Sequence, residues 1–118
     1  MQITNCLHTA ILVTDLELSE KFYGDILGLS KVERQMKFPG SWYQIGAYQI
    51  HLIVAPTHQQ ELQHEKWGRN PHIAFSVANL EAAKQKLLDC NYPIQLSASG
   101  RPALFTQDPD GNIIELGE

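Results

Sequence analysis

The chain has 118 residues, 43% of them apolar and 19% charged, with nine Lys and Arg against thirteen Asp and Glu for a formal net charge of −4. That length bounds one domain with a core large enough to fold without disulfides or metal staples. An acidic balance without a basic run argues against nucleic acid or an anionic membrane surface as a partner, and no stretch approaches the roughly 18 apolar residues that a membrane-crossing helix needs.

Residues 6–13 (Cys-Leu-His-Thr-Ala-Ile-Leu-Val) are apolar and partly β-branched, and read as a strand. Thr14 with Glu17 three residues on fits a capping box. Leu16, Phe22, Tyr23, Ile26 and Leu27 then supply a helical apolar stripe, with Gly28 as the stop. Leu29 to Gln35 is a candidate second strand. Residues 41–54 read as a hairpin turning at Gly46-Ala47, and a two-residue turn there pairs Ile45 with Tyr48, Tyr43 with Ile50 and Trp42 with His51. Residues 56–70 are polar and read as a linker or surface loop with room for one short helical turn. The pattern then restarts: a strand over 71–78, a helix from Leu80 to Cys90 capped by Asn79 and ending near Asn91, a short strand from Ile94 to Leu96, and a hairpin from about Ala103 to Leu116 turning at Asp108-Pro109-Asp110-Gly111.

The two halves share more than their order of elements. Laid over each other at an offset of 64, residues 8–17 and 72–81 agree at five of ten positions (His, Ala, Val, Leu and Glu), where random pairing gives about one at most. The same offset sets Ile50-His51-Leu52 on Ile114-Glu115-Leu116. The helices differ by about one residue, so a compensating change is expected between helix and hairpin. The domain organisation read from this is module 1 at residues 1–55, a linker at 56–70 and module 2 at 71–118.

His8, His51, His72 and Glu115 each interrupt an apolar strand. A buried polar group without a partner costs roughly 1–3 kcal/mol, and an unpaired carboxylate more. Four such residues at two pairs of equivalent positions point to a shared purpose. A pseudo-two-fold axis between the halves would gather imidazoles and a carboxylate, which is metal-ligand chemistry.

At this point the sequence resembles the vicinal oxygen chelate superfamily of glyoxalase I, extradiol dioxygenases, methylmalonyl-CoA epimerase, fosfomycin-resistance enzymes and bleomycin-resistance proteins. The resemblance covers nearly the whole chain. Its carriers are the opening His8-Thr-Ala-Ile-Leu-Val-Thr-Asp-Leu, the segment from Lys21 to Leu29, Pro71-His-Ile-Ala-Phe75, and Phe105-Thr-Gln-Asp-Pro-Asp-Gly-Asn-Ile-Ile-Glu-Leu116. It implies an α+β fold of two βαβββ modules forming a curved, incomplete-barrel mixed sheet with flanking helices. It also implies one divalent metal (Ni, Zn, Co, Mn or Fe) and a homodimer, with the site within one chain or across the subunit interface. His8, His72 and Glu115 fall on commonly used ligand positions. Where glyoxalase I typically has a glutamate that can transfer protons, this chain has His51, a departure that leaves metal binding open, since imidazole is a good ligand.

Three neutral imidazoles and one carboxylate leave such a site with a formal charge of +1, suited to stabilising an enediolate or other oxyanion. Glu115 and His51 are the candidate proton carriers. The leading expectation is a glyoxalase-like lyase or isomerase acting on a small oxygen-bearing substrate, with a thiol such as glutathione as candidate co-substrate. One alternative is a non-haem Fe(II) extradiol-type dioxygenase, because two histidines and a carboxylate make its facial triad; the other is a small-molecule (drug) binding protein without catalysis.

Among the remaining residues, Arg101 is a candidate fork for a substrate carboxylate or phosphate. Trp42, Tyr48, Trp67 and Phe105 are candidates for an apolar wall, with Trp42 favoured by its pairing with His51. Either Leu104 or Phe105 should share a face with Glu115, depending on a bulge at Gly111. His58 and His64 read as surface histidines, and Asp108 to Asn112 as a turn lacking the ligand spacing of a calcium loop. Cys6 and Cys90 have no metal-binding spacing and read as reduced core residues. With no basic stretch and apolar run after Met1, no secretory leader is expected, and the reading is cytoplasmic.

Overall fold

The computed structural model describes residues 1–33, 35, 37–57 and 61–118. The chain divides into two compact units, Met1–His58 and Gln59–Glu118. Each carries a four-stranded mixed sheet, so the α+β class and the paired βαβββ modules are as the sequence implies.

In the first unit, β1 (His8–Val13) runs parallel to β4 (Tyr48–Val54), which pairs antiparallel with β3 (Gly40–Ile45), and β2 (Ser30–Val32) closes the order β1-β4-β3-β2. The strict alternation of strand side chains decides what each face carries. Ile11 and Val13 of β1, Ile50 and Leu52 of β4, and Tyr43 of β3 are buried on one face. The other face carries His8, Gln49, His51, Trp42 and Gln44. The hairpin register is the expected one, Trp42 opposite His51, because the turn is two residues long and Gly46 takes up its positive φ of 56°.

Helix α1 (Leu16–Glu20) starts one residue later than the capping box suggests. Asp15, not Thr14, is the cap, its carboxylate accepting from the Leu18 amide at 3.1 Å. Both residues are good caps, and only the backbone geometry separates them. The chain then widens into a π-helical stretch, Lys21–Ile26, in which the Leu27 amide reaches back five residues to the Phe22 carbonyl at 2.9 Å. Phe22 and Tyr23, adjacent in sequence, are both fully buried there, edge to face with centroids 4.9 Å apart. Gly28, at φ 76°, ends the helix as expected. The second strand is shorter than the span from Leu29 to Gln35, and residues 34 and 36 lie outside the described residues, as does His58.

In the second unit, a 3-10 turn at Trp67–Arg69 leads into β5 (His72–Ser76), helix α2 (Leu80–Asp89), β6 (Ile94–Leu96), β7 (Ala103–Gln107) and β8 (Ile113–Gly117), in sheet order β5-β8-β7-β6. Asn79 caps α2 by accepting from the Ala82 amide at 3.0 Å, and Asn91, at φ 63°, takes the left-handed position after its end. The final turn is closed by Asp108, whose carboxylate accepts from the amides of Asp110 and Asn112 at 2.9 and 2.8 Å and from the Asn112 side chain at 2.8 Å. These bonds account for the acidic cluster as a turn.

The repeat explains where the modules fall out of step. Phe105 opposes Glu115 as Trp42 opposes His51, so Phe105 rather than Leu104 shares the face of Glu115. Phe105 follows Trp42 by 63 residues, whereas Glu115 follows His51 by 64. The compensating residue therefore sits inside the final turn, around Gly111, and not between helix and hairpin. The reading of both cysteines as core residues is also corrected: Cys6 precedes β1, Cys90 caps α2, and both are free and exposed. Among the described residues no helix is long and apolar enough to cross a membrane.

Glu20 ties α1 to its sheet, accepting from Ser41 of β3 at 2.8 Å and from Lys31 of β2. Burial pushes its carboxyl up, but the hydrogen bonds from Lys31 and Ser41 and the Lys31 charge outweigh this and hold it below the ordinary 4.5. A carboxyl depressed by folding stabilises the fold above its unfolded pKa, and that stability is lost as pH falls through the folded value. Urea unfolding midpoints measured well above and well below pH 4.5 should therefore fall less on acidification in Glu20→Gln than in the native chain. An identical acid dependence in the two proteins would show that this carboxylate is not coupled to folding.

Candidate active site

Each unit presents one polar pair on the sheet face away from its helix. In the first, His51 is 7% exposed and lies between two rings, Trp42 at 3.5 Å and His8 at 4.0 Å between centroids, both stacked within 13° of parallel. His8 is exposed at the start of β1.

A line of glutamines fixes the proton on His51. The Gln44 side-chain amide donates to the backbone carbonyls of Gly46 at 2.7 Å and Tyr48 at 3.3 Å. Carbonyls only accept, so the Gln44 oxygen faces the other way and accepts from the Gln49 amide at 2.6 Å. The Gln49 oxygen is then the acceptor for His51 Nε2 at 2.8 Å. His51 Nε2 is thus the donor of this bond. The two glutamines escaped the sequence reading because alternating Gln in a strand looks like an ordinary polar face.

In the second unit, His72 Nδ1 donates to the Asn70 carbonyl at 2.7 Å, which leaves Nε2 with the lone pair in the neutral ring. That nitrogen lies 3.1 Å from Glu115 Oε2, while the other oxygen, Oε1, accepts from Arg101 Nη2 at 2.9 Å. Two electron-rich atoms facing each other need a proton or a cation to join them. Phe105 stands edge-on to the His72 ring with centroids 5.5 Å apart. A Cβ on Gly68 would lie 2.6 Å from Phe105 Cζ, so only glycine lets the 3-10 turn close over that ring. His72, Glu115, Arg101, Phe105, Gly68 and Lys66 are among the groups bordering a cavity of about 450 Å3.

Asn70 organises this end of the unit and was not legible in the sequence. Only 4% exposed, its side-chain oxygen accepts from the amides of Gln63 and His64 at 2.6 and 3.0 Å, and its nitrogen donates to the carbonyls of His64, Lys66 and Trp67 at 2.8 to 3.2 Å. Its own carbonyl orients His72. His64 is correspondingly not a simple surface group: it is half-buried, and its Nδ1 accepts from the Lys66 amide at 3.0 Å.

Two expected wall residues sit elsewhere. Tyr48 is an odd number of positions from His51, so it points to the opposite face, where its hydroxyl bonds Thr9. Trp67 lies in the 3-10 turn but does not border the cavity. A wider recess of about 830 Å3 beside α1 is lined by Asp15, Glu20, Lys31 and Tyr43 among others, on the other face of the first sheet from His51. Burial, with the charges of Glu20 and Asp25, pushes the Tyr43 hydroxyl up to about 12, so it stays protonated and neutral there. Among the described residues no three His, Cys, Asp or Glu side chains stand together as a ready-made metal cluster. Each unit offers two donors, and in each the strand histidine has its proton committed away from one ring nitrogen. A ring N–H given to a carbonyl is the outer support that metal-bound imidazoles use, so the donor chemistry fits a divalent ion.

Residues 5–116 match the sequence model of the Glyoxalase/Bleomycin resistance protein/Dioxygenase superfamily. The chain belongs to that superfamily. It is 29% identical over 126 residues to Glyoxylase I 4 of Arabidopsis thaliana, an alignment covering 98% of this chain and 71% of the relative. Mitochondrial methylmalonyl-CoA epimerase of Homo sapiens is also 29% identical, over 125 residues, with 92% and 70% covered. The crystal structure of the glyoxalase family protein from Enterococcus faecalis superposes with a TM-score of 0.77 over the whole of both chains at 19% identity, which shows a shared fold. The chain thus resembles one relative named as a glyoxylase and one named as an epimerase.

Replacing Asn70 by Ala removes five hydrogen bonds from a buried amide, although the Lys66 and Trp67 carbonyls keep the backbone amides of Arg69 and Asn70. At roughly 1 kcal/mol for each net bond, partly offset by relaxation, Asn70→Ala should lose about 2–3 kcal/mol of stability by urea unfolding, and amide exchange at residues 63–70 should accelerate most. A change under about 0.5 kcal/mol would mean the segment is held by something else.

Proposed function

We propose that the protein is a divalent-metal-dependent enzyme of the glyoxalase type, a lyase or isomerase that moves a proton next to a carbonyl of a small oxygen-bearing substrate. His8, His51, His72 and Glu115 are its metal ligands. The observation that carries the reading is the approach of His72 Nε2 to Glu115 Oε2 at 3.1 Å, with the opposite ring nitrogen tied to a backbone carbonyl. The glutamine line that holds His51 Nε2 supports the same role in the first unit. A bound divalent ion would supply Lewis-acid stabilisation of oxyanion charge on the substrate.

The protein's own groups divide the remaining work. Glu115 is the carboxylate placed to take and return a proton, and its oxygens are differentiated: Oε1 is held by Arg101 and Oε2 faces His72. Because Arg101 orients the carboxylate, proton transfer would not wait on its rotation. Trp42 limits His51 to one ring plane, and Phe105 gives the cavity an apolar side. A thiol adduct, formed with a co-substrate such as glutathione, is the substrate type to test first, given the names carried by the relatives. The active unit on this reading is a homodimer in the cytoplasm.

Untagged protein analysed for metals by mass spectrometry should carry about one nickel, cobalt, zinc, manganese or iron ion per site, lost in a Glu115→Ala/His72→Ala double variant. Nickel or zinc with turnover of 2-oxoaldehyde–thiol adducts supports the proton-transfer reading. Iron with oxygen uptake on a catechol would replace it by the dioxygenase reading. Absence of metal after incubation with each ion would leave a small-molecule binding protein.

The glutamine line gives a separate check. Gln49→Leu keeps the strand but removes the acceptor for His51 Nε2, and loss of such an outer partner typically weakens metal binding about 10–100-fold. Competition against a chromophoric chelator measures this. Unchanged affinity would exclude His51 from the ligand set.

A further inference from the structure

We propose that the recess beside α1 is a second ligand site, which binds a primary alkylammonium, an organic amine whose charged nitrogen donates to the Tyr43 hydroxyl. The recess has a volume of about 830 Å3, lies in the first unit on the sheet face opposite His51, and does not depend on the metal reading. The first support is a hydroxyl with nothing to bond. Tyr43 is 1% exposed, yet among the described residues its hydroxyl forms no hydrogen bond. A buried hydroxyl without a partner is destabilising. Tyr43 borders the recess next to Gly24, where a Cβ would stand 3.5 Å from the phenol oxygen. A partner for that oxygen has to come from the recess.

The repeat makes this particular to the first unit. Tyr43 opposes Ile50 as Thr106 opposes Ile114, so the two residues hold equivalent positions. Thr106 uses its hydroxyl inside the fold, donating to the Pro93 carbonyl at 2.8 Å. Tyr43 ends instead at the recess wall. That wall includes part of the π-helical stretch Lys21–Ile26, which supplies Lys21, Gly24 and Asp25 to it. Such widened turns are rare and recur at functional sites; this one sets a glycine, the residue that covers least, against the phenol oxygen.

The second support is charge. Four carboxylates line the recess, those of Asp15, Glu17, Glu20 and Asp25, against two ammonium groups, those of Lys21 and Lys31. Lys31 is engaged by Glu20, and among the described residues the Glu17 side chain has neither an ion pair nor a hydrogen bond. A recess with this excess of negative charge attracts a cation. Burial, then the charges of Glu20 and Asp25, keep the phenol protonated, so it is neutral and its oxygen accepts from an ammonium N–H. Leu18 and Leu29 share the wall, and among the described residues no three carboxylates converge as metal ligands. The lining therefore suits an ammonium on a hydrocarbon body better than a bare metal ion.

The test uses the full chain at neutral pH and low salt. n-Butylamine is titrated while backbone amide shifts are followed, beside tetramethylammonium, a cation with no N–H to donate. Saturable shifts confined to residues 15–31 and 41–45 are expected with butylamine and not with tetramethylammonium. Tyr43→Phe keeps the ring and removes the hydroxyl. It should bind butylamine about tenfold or more weakly with an unchanged unfolding temperature, since that hydroxyl bonds nothing in the fold among the described residues. Glu17→Gln, at an exposed helix position, should bind about twofold more weakly and reports even where the phenylalanine variant does not fold. No saturable shift with butylamine, equal binding of tetramethylammonium, or native affinity in a folded Tyr43→Phe overturns the proposal. If Tyr43→Phe does not fold, native affinity in Glu17→Gln overturns it. Metal content and turnover are not the readout, so the proton-transfer reading stands or falls separately.

Discussion

A backbone carbonyl can accept a hydrogen bond and never donate one, and this one-way rule orients both strand histidines. Asn70 applies it directly, its carbonyl accepting a hydrogen bond from His72 Nδ1. Gly46 and Tyr48 apply it at a distance, through Gln44 and Gln49, to His51 Nε2. The result is alike in the two units although the means differ: each imidazole has one ring nitrogen bonded to an oxygen that a backbone carbonyl supplies or orients. The proposed chemistry depends on that orientation, because an imidazole with the opposite tautomer presents a donor where an acceptor is required.

The sheets make that orientation possible. Parallel docking of the first strand against the last strand of each unit sets Ala10 beside His51 and Ala74 beside Glu115, so a small residue neighbours each functional one. On the other side stand Trp42 and Phe105, an aromatic ring in both cases. Alternation then forces the large aliphatic residues to the opposite face, against the helix. A slip of one residue in either hairpin would exchange the two faces, so the turns at Gly46 and Gly111 are as necessary to the polar faces as the polar residues themselves.

Much of this was readable in advance, and what was not has particular causes. The internal repeat, the Trp42–His51 register, the Asn79 cap and the final turn follow from short-range chemistry in which one or two residue types dominate. Thr14 and Asp15 are both competent caps, and the sequence offers nothing to separate them. The extra residue of the second module lay in a turn whose Gly111 signals a bulge without saying which neighbour it displaces. Asn70, Gln44 and Gln49 were missed because amides look alike whether they organise a site or face water; their partners are backbone atoms, which no side-chain pattern records. Lys66 and Arg69 were read as part of a polar loop because the turn that carries them is held by Gln95, nearly thirty residues away.

The close approach of Gly68 to Phe105 ties the form of the cavity to the polar pair beside it. The cavity's shape is carried by the 3-10 turn and β7, whereas the imidazole–carboxylate pair is carried by β5 and β8. A single methyl group added at position 68 would press on the Phe105 ring and reshape the cavity from outside the strands that carry His72 and Glu115. Because that ring stands edge-on to His72, such a change would also reach the imidazole that faces Glu115. In a duplicated, drifting copy that lost this glycine, the form of the cavity and the setting of the imidazole would change together.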